Sequence, residues 1–216
     1  MAGEAEAAMT LTTFYVVKKR LPGEEWDIRQ FVTPNVPGVA RIETQLPAGE
    51  REFVATAWWW VTKYIQYPEG SPDVEDEHYF RAFRGRTRRA YRVYDYWSFP
   101  AETLVTRIGD CEDASFLLAS ILRRRLPDTR VFVTIGLFDN YGHAWVTVDG
   151  LVLETTPGLP SYKAIPEQLP YVPFFRFNDT VVLPVREIAV PSKGDSRLKM
   201  VLLMGRLDAA RRRNLP

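Results

Sequence analysis

Between residues 111 and 155 the chain changes its hydrophobic period once, and that change limits the folds open to it. From Cys111 to Leu126, the residues Ala114, Leu117, Leu118, Ile121 and Leu122 recur at three- and four-residue steps, the stripe of an amphipathic helix. Asp110, Glu112 and Asp113 crowd its start and Arg123, Arg124 and Arg125 its end, a charge order that complements the helix dipole, and Pro127 stops it. Three strand-like runs follow, Arg130–Leu137, His143–Val148 and Leu151–Thr155. Asp139-Asn140-Tyr141-Gly142 and Asp149-Gly150 supply hairpin turns between them. A helix followed by an antiparallel meander predicts an α+β domain rather than a doubly wound parallel sheet.

A second helix is expected from Glu50 to Ile65, where Val54, Ala57, Trp58, Val61 and Ile65 repeat with helical spacing. Trp58, Trp59 and Trp60 are consecutive and cannot all face one side, so either the helix is covered on most of its circumference or one indole lines a cleft. Short extended segments are expected at Thr13–Lys19, Trp26–Thr33 and Val39–Leu46, punctuated by Pro34, Pro37, Gly38, Pro47 and Gly49. After Pro157 comes a proline-rich connection holding Pro160, Pro166, Pro170 and Pro173, and strand-like runs return at Thr180–Val190 and Arg197–Met204. The 216 residues suffice for one domain with a substantial core. It is expected over 10–205, after a lead-in at 1–9 and before a basic tail at 206–216.

Composition removes several function classes. A net charge of +1 gives no global field toward nucleic acid or anionic membrane. Arginines interleave with aromatics from Phe80 to Tyr96, but in a near-neutral chain they read as cover for apolar surface rather than a nucleic-acid site. The acidic stretch Glu69–Glu77 lacks the alternating ligands and turn glycine of a calcium loop and reads as a solvated loop. No basic-plus-apolar leader and no run of roughly 18 apolar residues is present, which predicts a soluble, cytoplasmic protein with no membrane partner. One cysteine allows no internal disulfide and no multi-thiolate metal site. With only His78 and His143 beside it, no metal and no cofactor are expected.

Composition alone would make that cysteine a small buried hydrophobe. Its position says more. Cys111 sits at the expected N-terminus of a helix, where unpaired backbone N–H groups favour thiolate over thiol. Asp110, Glu112 and Asp113 oppose ionisation, so a neighbouring histidine is needed to hold an ion pair. His143 begins a strand directly after a turn, where its ring can project at the end of a sheet. Glu154 closes the next strand, and the Asp149-Gly150 hairpin can bring 143 and 154 side by side, so Glu154 can orient the imidazole. The alternatives are a structural histidine and a strand-end glutamate facing water.

Three motifs then carry a resemblance. Trp97-Ser98-Phe99-Pro100-Ala101-Glu102-Thr103 with Gly109-Asp110-Cys111-Glu112-Asp113 resembles the nucleophile region of transglutaminase-like proteins. Gly142-His143-Ala144-Trp145-Val146 is similar to their histidine strand, and Leu153-Glu154-Thr155-Thr156-Pro157 stands in the place of their Asp-Pro-Thr element. The helix from Ala55 to Tyr67 also resembles the one that precedes the nucleophile. The match covers about 50–158, and the nearest subgroup is the bacterial transglutaminase-like cysteine peptidases. The resemblance implies a papain-like α+β core, with the nucleophile at a helix N-terminus packed on an antiparallel sheet. It further implies a Cys111–His143–Glu154 triad and acyl transfer through a thioester, on a protein or peptide substrate. Asp110 and Asp113 would support the helix N-terminus.

Two departures stand out. Glutamate replaces the commoner aspartate as third member. Val105, six residues before the cysteine, carries no side-chain donor where papain-type enzymes place a glutamine. The Cys111 N–H can supply one oxyanion donor and the Trp97 indole is a candidate for another; a missing donor costs about 3–4 kcal/mol of transition-state stabilisation. The sequence leaves peptidase, deamidase and transglutaminase open. The competing expectation is a non-catalytic structural or interaction protein that keeps the fold and pairs with a partner through its strand-rich extensions, in a larger assembly.

Overall fold

The computed structural model describes residues 17–20, 24–68, 96–139, 141–159 and 171–184. Strand β1 (Val17–Lys19) pairs antiparallel with β2 (Glu25–Asp27). A short 3-10 turn at Ile28–Phe31 follows, capped by the Asp27 carboxylate on Arg29 N–H at 3.0 Å. Helices α1 (Pro37–Glu43), α2 (Glu50–Tyr64), α3 (Pro100–Thr106) and α4 (Cys111–Leu122) come next. Strands β3 (Val131–Phe138), β4 (Tyr141–Val148), β5 (Leu151–Leu153), β6 (Tyr171–Phe177) and β7 (Val182–Pro184) complete the described chain. The last five form an antiparallel sheet in the order β5-β4-β3-β6-β7, so the architecture is α+β.

Helix α4 is the hub. All twelve of its residues are buried, and it packs against β3 and β4 as well as α1, α2 and α3. A helix without an exposed face needs its polar groups satisfied from within. Ser120 does this twice, donating to the Phe116 carbonyl at 2.6 Å and accepting Thr33 N–H at 2.8 Å. Phe116, fully buried, meets Phe31, Trp97 and Phe177 with ring centroids 5.0–5.9 Å apart.

The sheet has two unlike faces because side chains alternate along each strand. Ala144, Val146 and Val148 of β4 join α4 in the main core, with Val131, Val133, Ile135, Phe175 and Phe177. Trp145, Val152 and Tyr171 form a second, smaller cluster with Phe138 against it.

The expected helix at Glu50–Ile65 and the three-strand meander appear with end shifts of a few residues. Other segments differ from expectation. Val39–Leu46, read as extended, begins inside α1; Pro37 supplies the preset φ of its first turn, and Val39 and Ile42, three apart, are its buried residues. Trp26–Thr33 is extended only to Asp27 before it coils into the 3-10 turn. Helix α3 starts at Pro100, with Glu102 accepting the Phe99 N–H at 2.7 Å. The proline-rich connection contains a strand, β6. Pro173 is tolerated there because the β3–β6 register shifts between Ile135 and Gly136, leaving Phe174 as the extra residue of a bulge. The lead-in, the acidic stretch at 69–77, almost all of the arginine-rich stretch at 80–96, the run at 197–204 and the tail lie outside the described residues. No described helix is long and apolar enough to cross a membrane.

Candidate active site

The β3–β4 hairpin sets Gly136 opposite His143, and the β4–β5 hairpin sets Val146 opposite Leu153. One step beyond that last pair, Glu154 stands across from Trp145, on the face that His143 shares with Trp145 by alternation. Glu154 is therefore a diagonal neighbour of His143, within reach of a long side chain. The contact is made: His143 Nε2 lies 2.8 Å from Glu154 Oε2. Both side chains are buried.

Glu154 has two more donors. The Tyr171 hydroxyl donates to the same Oε2 at 2.7 Å, and the Thr156 N–H donates to Oε1 at 2.7 Å. The Trp58 indole of α2 donates to the Glu154 backbone carbonyl at 2.6 Å, which pins the residue from a different element. Burial pushes the Glu154 carboxyl up. The hydrogen bond and charge of His143, the Tyr171 hydroxyl and the Thr156 N–H outweigh that and hold it below its ordinary value of 4.5. An ionised carboxylate on Nε2 makes that nitrogen the protonated one and leaves Nδ1 to accept.

Aromatic rings surround the imidazole. Tyr171 and Trp145 lie nearly parallel to it, at centroid distances of 6.2 and 6.0 Å, and Phe138 at 5.8 Å. Gly136 makes room for them. A Cβ there would press on the Val172 carbonyl oxygen and come within 2.8 Å of the Trp145 ring and 2.9 Å of Pro173 Cα.

Cys111 is the first residue of α4, with Asp110 as N-cap. The helix's own hydrogen-bond ladder begins with Ala114 N–H on the Asp110 carbonyl, so the Cys111 N–H lies ahead of it. The thiol, 3% exposed, donates to Glu112 Oε2 at 3.2 Å. Side-chain donor atoms of Asp110, Cys111 and Glu112 lie within 4.8 Å of one another, so both carboxylates raise the cost of a thiolate. No hydrogen bond joins Cys111 to His143 among the described residues. The structure therefore brings His143 and Glu154 into contact, and places Cys111 on a helix packed against the opposite face of β4.

The remaining candidates have definite places. Asp113 is fully buried and accepts the Ser98 N–H at 2.7 Å, tying the segment before α3 to the first turn of α4. Asp110 is the N-cap by position, without a side-chain capping bond. Trp97 is buried against Phe31 and Phe116, with the Lys18 ammonium 4.6 Å from its ring. Tyr171 and Glu112 were not anticipated as site residues. Tyr171 sits in a strand that prolines disguised. Glu112 is next to the cysteine, and what singles it out among the neighbouring acids, its bond to the thiol, is visible only in three dimensions. Trp58 is one of the three consecutive indoles, of which the sequence leaves open that one lines a cleft.

No family model and no curated protein matches the chain. Among solved structures it is similar to LapG from Legionella pneumophila, with 19% identity, a TM-score of 0.42 and coverage of 82% of this chain and 98% of that one. EGTA-treated LapG gives 18% identity, a TM-score of 0.41 and coverage of 78% and 95%. The calcium-bound form gives 17%, 0.39, and 75% and 96%. At this distance the likeness leaves function to the geometry of the site.

Proposed function

We propose that the chain is a cysteine-dependent acyl-transfer enzyme of the transglutaminase-like, papain-related kind, acting on peptide or glutamine amide bonds through a thioester. The observation that supports this is the His143–Glu154 pair. A buried carboxylate, held by two further donors, commits Nε2 and leaves Nδ1 as proton acceptor, the arrangement a catalytic base requires.

In this reading the Cys111 thiol leaves Glu112 and passes its proton to His143 Nδ1. The thiolate then attacks the amide carbon, and the Cys111 N–H at the positive end of α4 donates to the developing oxyanion. The imidazolium returns the proton to the departing nitrogen, and ammonia or an amine leaves as the thioester forms. Water or a second amine attacks the thioester, His143 takes the incoming proton, and the thiol is restored. The packing of Trp97 among core rings favours a structural role over that of second oxyanion donor.

The competing reading, a non-catalytic scaffold or interaction protein, draws on the thiol's bond to Glu112 and on the separate faces of β4. Because Cys111 is the sole cysteine, iodoacetamide reports on this thiol alone. Near pH 6 the parent alkylates quickly and His143→Ala slows the reaction by at least about tenfold. Slow alkylation, indifferent to that substitution, decides for the scaffold. Incorporation of a fluorescent amine into a glutamine-containing protein then marks a transglutaminase, release of ammonia without it a deamidase, and new N-termini from casein a peptidase.

A further inference from the structure

Tyr171 stands apart from the three residues to which the proposed mechanism gives a task. It comes from a different strand, beyond the residues at 160–170, yet its hydroxyl and the His143 Nε2 converge on one oxygen atom, Glu154 Oε2. Its ring packs on Trp145 at 4.7 Å and on Phe138 at 4.8 Å, and lies almost parallel to the imidazole.

We propose that Tyr171 is a positioning residue of the site, whose hydroxyl fixes the Glu154 oxygen that orients His143 and disperses part of its charge. This rests on the function proposed above. Two donors on one oxygen leave the carboxylate little freedom to rotate, so the imidazole it holds has one preferred orientation. The hydroxyl also weakens the carboxylate as a partner for the imidazolium, since charge already shared with the phenol is not available to the ring. Burial, and then the Glu154 charge, push the phenol well above its ordinary value of 10.0, so it stays a donor through the working range.

Among the described residues, the titratable groups joined here are His143 of β4, Glu154 after β5 and Tyr171 of β6. Cys111, Glu112 and Asp113 stand on the first turn of α4, which packs on the other face of β4, with Asp113 turned toward Ser98. Helix α2 contributes the Trp58 indole, which does not titrate.

The test is the pH profile of Cys111 alkylation by iodoacetamide, in the full chain and in Tyr171→Phe, which keeps the ring and removes one oxygen. Without the phenol, Glu154 takes up a proton at higher pH, which moves the acid limb upward. The expected displacement of that limb is about half a pH unit or more. An acid limb that superimposes on the parent's overturns the proposal, because loss of packing alone lowers stability without moving it. 3-Fluorotyrosine at position 171, a stronger donor of nearly the same shape, shifts the limb downward and gives a reading even where the phenylalanine variant does not fold. A parent whose alkylation is indifferent to His143→Ala overturns the catalytic reading itself, and this inference with it.

Discussion

Replacing Glu154 by glutamine keeps the shape of the side chain and removes its charge. The amide oxygen can still accept the Thr156 N–H, but the amide nitrogen then faces two donors, His143 Nε2 and the Tyr171 hydroxyl. The hydroxyl can turn and accept. The imidazole can accept at Nε2 only by moving its proton to Nδ1, the nitrogen the proposed mechanism needs empty. A hydrogen bond to a charged group contributes about 1.5–3 kcal/mol, and removing one partner of a buried pair costs up to about 5 kcal/mol. With partial rearrangement, a loss of about 2–4 kcal/mol near neutral pH is expected. The sign of its pH dependence follows from Glu154. Its folded-state pKa lies below the ordinary 4.5, so its contribution is complete above 4.5 and disappears as pH falls through the lower, folded value. Urea denaturation followed by tryptophan fluorescence, in a series descending from pH 7, should show a gap between parent and Glu154→Gln that narrows below pH 4.5. A gap under about 1 kcal/mol at pH 7, or one that stays constant down to acid unfolding, refutes the reasoning.

Two further outcomes can be checked with the same methods. Gly136→Ala drives a methyl group against the Val172 carbonyl and the Trp145 ring, and since strand backbone cannot yield cheaply, a loss of about 2–4 kcal/mol in denaturant titration is expected, with slower His143-dependent alkylation. Trp58→Phe keeps an aromatic ring but leaves the Glu154 carbonyl without its indole donor, so stability falls by about 1–2 kcal/mol while far-UV circular dichroism is unchanged.

The segments that sequence reading recovered are those where one signal dominates. Helix α4 has a clean apolar stripe with charged ends, and the β3–β4–β5 meander has alternation and tight turns, so the frame that carries Cys111, His143 and Glu154 was visible in one dimension. Segments where two signals conflict differ from expectation. Val39 and Ile42 have helical spacing but are β-branched, and neighbouring prolines suggested an interrupted strand; burial against α4 decides for the helix. In β6, Pro173 argued against a strand, and only the bulge opposite Gly136 removes the objection. That bulge involves residues 37 positions apart and leaves no local trace. Side-chain partners were less legible still. The Asp113–Ser98 bond and the Cys111–Glu112 bond depend on which way a buried carboxylate turns in the first helical turn, where the sequence shows only a cluster of acids.

A glutamate as the third member of the proposed triad suits the sheet's register. With Val146 opposite Leu153, the residue beyond the end of β5 stands across from Trp145, and His143 lies two positions further along β4. Diagonal Cβ atoms in an antiparallel pair are about 7–8 Å apart or somewhat less, a span that a longer side chain bridges more readily than a shorter one. Glu154 spans that distance, its carboxylate held by the Thr156 N–H and its backbone carbonyl by the Trp58 indole. In the proposed triad the longer arm therefore suits the position from which it reaches. In the proposed mechanism the Cys111 N–H at the start of α4 serves as the oxyanion donor; Val105 is 65% exposed and apolar, and Trp97 is packed among rings.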